Sequence, residues 1–331
     1  MSELEKRQEL LELSHALIKK GLVVRTWGNF SLLLDDKTFL ITPSGRNYEH
    51  MKPEDLVRCS VETGKALEGE PFKPSSEAPM HALVYRNRGE IQCVLHTHQI
   101  YASAMSLSKR EIAIEDKKHQ EILGTVSIPI SGYALPGTKP LHKNMERALL
   151  SHLSDVILME RHGALVMAES SEVALKRAEA LEEVCHRAYE YIVGRESLKR
   201  DSLETDDLVE DSMMKIYRKE YGDPYLVVSA DEEVKLLEKA SLKPYLDDFA
   251  QICGPKVTEH KKKNNVVFGP SLSYAICFGS DEEEARSVRA VLEKNARAAH
   301  IARAYNQKAI PAWECHLMRL VYQKKYSKMN K

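Results

Sequence analysis

In this 331-residue chain 48 Lys and Arg offset 49 Asp and Glu, and 43% of residues are hydrophobic, a globular balance with room for one large or two ordinary domains. The near-neutral charge argues against a nucleic-acid footprint, and Lys261-Lys262-Lys263 and Lys324-Lys325 are short enough to be solvated faces. No stretch approaches the roughly 20 apolar residues of a membrane span. Neither nucleic acid nor a membrane is therefore an expected partner.

In chain order, residues 5–20 set Leu10, Leu11, Leu13, Leu17 and Ile18 on one helical stripe, stopped by Gly21. Acids and bases interleave along that helix, so it reads as a surface helix and not as an export signal. Phe30–Leu34 and Thr38–Thr42 form a hairpin across Asp35-Asp36-Lys37, and a second strand pair flanks Glu62-Thr63-Gly64. Met80–Arg86 is helical, and Ile91–His98 is a buried strand with a polar end. Tyr101–Leu107 is a helix, and Val126–Ile130, Val156–Met159 and Ala164–Ala168 are strands. A long helix covers Glu172–Val193. Strands and helices mix without regular βαβ alternation, which favours an α/β sandwich over a doubly wound sheet. Six cysteines lack CxxC spacing and read as reduced, buried thiols of a cytoplasmic protein.

The charged stretch from Gly194 to about Asp211 reads as a linker and divides a domain 1–205 from a smaller α/β domain 206–331. Beyond it the segment Val267–Ala302 echoes Val156–Tyr191 at an offset of 111: strand, loop, strand, acidic helix start and Ala-rich helix. Ser273 falls where the first copy has His162, so the second is a degenerate partial repeat without a site. Asp247, Asp248 and His260 are too loosely arranged to form one of their own.

The sharpest chemical signal is VLHTH at 94–98. Residues two apart on a strand share a face, so His96 and His98 can converge on one ion. Zinc takes neutral imidazoles, and three protein ligands with an open position mark a catalytic site. Some twenty residues earlier, Ser75-Ser76-Glu77 precede a helix, offering hydroxyls and free backbone N–H groups to a phosphate dianion, or simply an N-cap. Glu77 is a candidate general base if it faces the metal. Trp27-Gly28-Asn29-Phe30-Ser31 and Thr42-Pro43-Ser44-Gly45 end hairpin strands where backbone N–H groups are free to contact phosphate, and neither matches a nucleotide-binding fingerprint. Arg161-His162-Gly163 stands between two apolar strands, where the imidazole either turns into a site or packs.

Taken together, WGNFS, TPSG, PSSE with a helical MH, HTH, GYALPGT and RHG resemble the class II aldolase/adducin family over about residues 8–193, closest among its enzymes to the L-fuculose-phosphate aldolases. The resemblance implies a three-layer αβα sandwich with a central, mainly antiparallel sheet. It also implies a homotetramer with active sites near subunit interfaces. It makes His96, His98 and His162 the ligands of one Zn2+ per chain, with another divalent metal as the alternative. Glu77 becomes the acid/base, and Gly28, Asn29, Ser44, Gly45, Ser75 and Ser76 the cradle for a sugar-phosphate substrate.

The implied reaction is cleavage of a phosphorylated ketose to dihydroxyacetone phosphate and an aldehyde. The alternatives are epimerase, dehydratase or decarboxylase chemistry on a related sugar phosphate, or a non-catalytic binding protein of the same fold. The epimerases of the family resemble it with Asp at position 77, and its non-catalytic binding members lack the histidines. The aldolases draw a tyrosine from a neighbouring subunit, whereas the corresponding stretch here carries Glu115, Asp116 and His119.

Overall fold

The computed structural model describes residues 2–23, 27–194, 215, 218–219, 225–237, 242–257, 265–268 and 275–325. Contacts divide the chain into two compact units, Met1–Ala188 and Tyr189–Lys331. The proposed linker, the 205/206 boundary, His260 and Ser273 lie outside the described residues. Among those described, no helix is long and apolar enough to cross a membrane. All six cysteines are buried and free.

The first unit opens with helix α1 (Glu3–Lys19), held at its start by a reciprocal capping box between Ser2 and Glu5. Strands β1 (Gly28–Leu33) and β2 (Thr38–Ile41) form the expected hairpin, and β3 (Val57–Ser60) extends it. The strand expected after Gly64 is reduced to a single bridge, Cys59 to Ala66. Next come α2 (Ala78–Asn87), β4 (Cys93–Thr97), α3 (Ile100–Met105), β5 (Ile112–Ala113) and α4 (Lys117–Leu123). The expected strand 126–130 breaks into β6 (Ser127–Ile128), which pairs with β5, and β7 (Ile130–Ser131). Helix α5 (Lys139–Ser151), strands β8 (Val156–Met159) and β9 (Gly163–Ala168), and α6 (Ser171–Val193) follow.

The central sheet has the order β3-β2-β1-β4-β9-β8-β7 and is antiparallel except for β7 against β8. Period-two alternation sorts its side chains. Phe39, Ile41, Val94, Ile157, Met159, Leu165 and Met167 face α2 and α5, where Met80, Leu83, Val84, Leu141, Met145 and Leu149 close the core. On the opposite side α1 meets β1 and α3 meets β8 and β9. There Gln99 Nε2 donates to the Ala178 carbonyl of α6 at 2.6 Å. The result is the αβα sandwich with a mainly antiparallel sheet that the sequence implied.

The second unit has a three-stranded antiparallel sheet, β10 (Leu226–Ser229), β12 (Ala275–Phe278) and β11 (Val266–Phe268), in the order β10-β12-β11. Its described helices include α7 (Glu232–Lys235), α8 (Asp247–Cys253), α9 (Glu282–Ala304) and α10 (Ala312–Lys325). The β11-β12-α9 run repeats the element order of β8-β9-α6, and both helices span 23 residues. Val267 pairs with Ile276 where an offset of 111 from the Ile157–Leu165 pair would put residue 268, so the register differs by one. Buried charges on α9 are matched: Lys294 pairs with Asp248, and Arg297 with Asp231 at 3.1 Å.

Candidate metal centre and active site

On β4, Val94 faces the core under α2 and α5, so His96 and His98 alternate onto that same side. The polar end of the strand is thereby aimed at the first turn of α2. His162 reaches the same point from the β8–β9 turn. There Arg161 adopts a left-handed φ of 65°, at a cost of roughly 1–2 kcal/mol for a residue with a Cβ. Gly163 follows because the strands touch at that point. A Cβ there would lie 3.2 Å from His96 Cε1 and nearer still to the Thr97 carbonyl oxygen. Gly28 is constrained from the other side: with φ +116° on β1, a Cβ would lie 2.6 Å from the His96 carbonyl oxygen.

The three imidazoles form a compact group, all buried, with ligand atoms within 4.8 Å of one another. Ring centroids are 4.7–4.8 Å apart, His96 and His162 stacking and His98 edge-on to both. His96 Nδ1 donates to the Ala164 carbonyl at 3.0 Å, which leaves its Nε2 lone pair directed at His98 Nε2, 2.9 Å away. Burial pushes the His96 pKa down to about 3, so the ring is neutral, as a metal requires. Tetrahedral zinc with bonds of about 2.0–2.1 Å separates its ligand atoms by roughly 3.3 Å. The His96–His98 separation, 2.9 Å, lies within a few tenths of an ångström of that spacing, and the ligand atoms of all three histidines lie within 4.8 Å of one another. The residues present fit a divalent ion.

Glu77 occupies the N-cap position of α2 but makes no capping bond. Its Oε1 lies 3.1 Å from His162 Nε2, and its Oε2 accepts from Asn29 Nδ2 at 2.8 Å. Burial alone would raise this carboxyl. The neighbouring His96, the His162 contact and the Asn29 hydrogen bond outweigh it and hold the group well below the usual carboxylate range. Behind it the polar chain continues. Asn29 Oδ1 meets His81 Nε2 at 2.6 Å, and His81 Nδ1 and the Tyr85 hydroxyl each lie 2.7 Å from Ser31 Oγ. Asn29 and Ser31 share a face of β1, and Glu77, His81 and Tyr85 recur every four residues along one face of α2. Those spacings of two and four were the signal in the sequence that could have found His81, Ser31 and Tyr85.

Of the expected phosphate contacts, Ser44, Gly45, Ser75 and Ser76 lie on two loops joined by the Pro43–Pro74 bridge, with Ser44 N donating to Lys73 O at 3.0 Å. Thr42 ties this pair to β1 through Phe30, at 3.1 and 3.2 Å. Gly137 closes one side, where a Cβ would lie 3.7 Å from Ser76 Oγ. Asn29 is placed differently, its side chain engaged with Glu77 and His81 on the metal side. His119 is also apart from the histidine group. It is tied at 2.6 Å to Asp116 and at 3.0 Å to Glu183 of α6. Tyr133 packs under the Arg161 guanidinium, 5.6 Å from the ring centre.

Residues 8–189 match the family described as Class II Aldolase and Adducin N-terminal domain. The chain belongs to the class II aldolase and adducin family. Its relatives within the family differ in reaction. A 3-oxo-tetronate 4-phosphate decarboxylase of Pectobacterium atrosepticum is 29% identical over 212 residues, 63% of this chain and 93% of that protein. A "probable L-ribulose-5-phosphate 4-epimerase" of Mycoplasma pneumoniae is 28% identical, covering 55% of this chain and 80% of its own. Among solved structures, an L-fuculose 1-phosphate aldolase superposes with a TM-score of 0.52 at 25% identity, covering 66% of this chain and 96% of that one.

Proposed function

We propose that the chain is a zinc-dependent aldolase that cleaves a phosphorylated ketose, similar to L-fuculose 1-phosphate, to dihydroxyacetone phosphate and an aldehyde. The observation that carries this is a buried carboxyl group, Glu77, within 3.3 Å of two of three clustered, buried imidazoles. His96, His98 and His162 would hold one divalent ion, which when bound supplies Lewis-acid polarisation of the substrate carbonyl. Gly28 and Asn29 at the start of β1, with the loops bearing Ser44, Gly45, Ser75 and Ser76, would hold the phosphate through hydroxyl, amide and backbone N–H groups. Glu77 would handle the protons: one leaves the C4 hydroxyl as the C3–C4 bond breaks, and one is returned to C3. A cytoplasmic homotetramer, with a catalytic domain 1–205 and an added C-terminal domain, belongs to the same proposal.

A second reading, an epimerase or decarboxylase on a related sugar phosphate, is favoured by the activities of the two relatives named above. The metal-loaded chain, incubated with a panel of ketose 1-phosphates including L-fuculose 1-phosphate, is expected to release dihydroxyacetone phosphate. Release of carbon dioxide from 3-oxo-tetronate 4-phosphate, or epimerisation of L-ribulose 5-phosphate, without any dihydroxyacetone phosphate would replace the aldolase proposal.

A further inference from the structure

We infer that His81 is a positioning residue which, acting through Asn29, fixes Oε1 of Glu77 as the oxygen left to take a proton. The inference rests on the proposal that Glu77 is the proton-transfer group.

Hydrogen-bond polarity along the buried chain has one self-consistent assignment. The Asn29 atom 2.8 Å from Glu77 Oε2 is Nδ2, which donates to the carboxyl oxygen, so the amide carbonyl faces His81. His81 must then carry its hydrogen on Nε2. Burial pushes the His81 pKa down to about 3, so the ring is neutral and Nδ1 is an acceptor. Ser31 therefore donates to Nδ1, and Tyr85 donates to Ser31, its hydroxyl kept protonated by burial well above the ordinary tyrosine range. Glu77, Asn29, Ser31, His81 and Tyr85 are all buried, at 0–6% exposure, so water cannot repair a mismatch. A flip of the Asn29 amide would set its carbonyl against a carboxylate and its NH2 against an N–H. Oε2 is thus committed to Asn29, with His96 Nε2 3.3 Å away, while Oε1 faces His162 Nε2 at 3.1 Å.

The plainer role for such a chain is to staple β1 to α2, and the two roles separate experimentally. Proton exchange at the hydroxymethyl carbon of dihydroxyacetone phosphate in D2O, followed by NMR, is the probe. His81→Gln keeps an N–H near the Nε2 position, whereas His81→Met fills the space without a donor. The Gln variant is expected to stay within about threefold of the parent in kcat. The Met variant should lose about 10- to 100-fold in kcat, with KM and metal content within about twofold. Equal activity of the two variants, or a loss confined to KM, would overturn the inference.

If the Met variant does not fold, Ser31→Ala removes the donor to Nδ1, and an unchanged kcat there has the same force. Nitrogen-15 NMR of the imidazoles supplies a readout that needs no turnover. His81 is expected as the neutral Nε2–H tautomer, and an Nδ1–H tautomer excludes the assignment. A parent chain with no exchange would count against the aldolase proposal alone, leaving the tautomer to decide this one.

Discussion

Gly163→Ala is the most instructive single change, because it adds one methyl group where the two ligand-bearing segments touch. The new Cβ would sit 3.2 Å from His96 Cε1 and 3.3 Å from the Thr97 carbonyl carbon, and closer still to the carbonyl oxygen. None of these is the far end of a flexible side chain. Restoring ordinary contact requires β9 to move from β4 by about 1 Å, since carbon atoms pack at about 3.5–4.0 Å. Overpacking of this kind costs about 1–3 kcal/mol, and the upper end applies because backbone must yield. The larger effect falls on the site, since His162 is the next residue and His96 is touched directly. Metal–ligand distances tolerate about 0.2 Å, so zinc affinity should drop at least about 10- to 100-fold. Competition against a chromophoric chelator measures the affinity, and urea unfolding of the metal-free chain measures the stability. A Gly163→Ala chain with the parent's zinc affinity and unfolding midpoint would refute the reasoning.

Further outcomes follow from the same geometry. Glu77→Gln should retain metal and lose roughly 10²-fold or more in turnover, and a fully active variant would remove Glu77 from proton transfer. The His81 ring, shifted from 6.5 down to about 3 in the folded state, binds fewer protons there than in the unfolded chain. Its stabilisation is therefore complete above pH 6.5 and is lost as the pH falls toward 3, with a slope approaching about 1.4 kcal/mol per pH unit. His81→Gln should flatten the stability profile between pH 7 and pH 5 measured by urea unfolding, and an unchanged slope would contradict the assignment. In the second unit Lys294→Met removes the buried ammonium that balances the buried Asp248 carboxylate, and should cost roughly 3–5 kcal/mol. Adding Asp248→Leu should recover most of that; a single-variant loss under about 1 kcal/mol would mean the pair is solvated.

What the sequence disclosed and what it hid divide along physical lines. Strict alternation placed His96 and His98 on one face, and the β8–β9–α6 run was legible to within a residue because its apolar segments are long and uninterrupted. Helix α5 was not among the expected elements; it starts just after the Gly- and Pro-containing GYALPGT and carries Pro140 in its first turn, where Pro is welcome. β7 was merged with β6 since only its parallel pairing with β8, far along the chain, separates them. That the Asn29 side chain reaches Glu77 and His81 follows from the Asn29–His96 pairing across β1 and β4, which no local pattern encodes.

Metal analysis of the purified chain beside its His98→Ala variant shows whether His96, His98 and His162 hold a divalent ion. Close to one tightly bound ion per chain, zinc foremost, is expected, together with its loss in the His98→Ala chain. A parent chain without a tightly bound ion after zinc loading, or a His98→Ala chain that keeps its zinc, would contradict it.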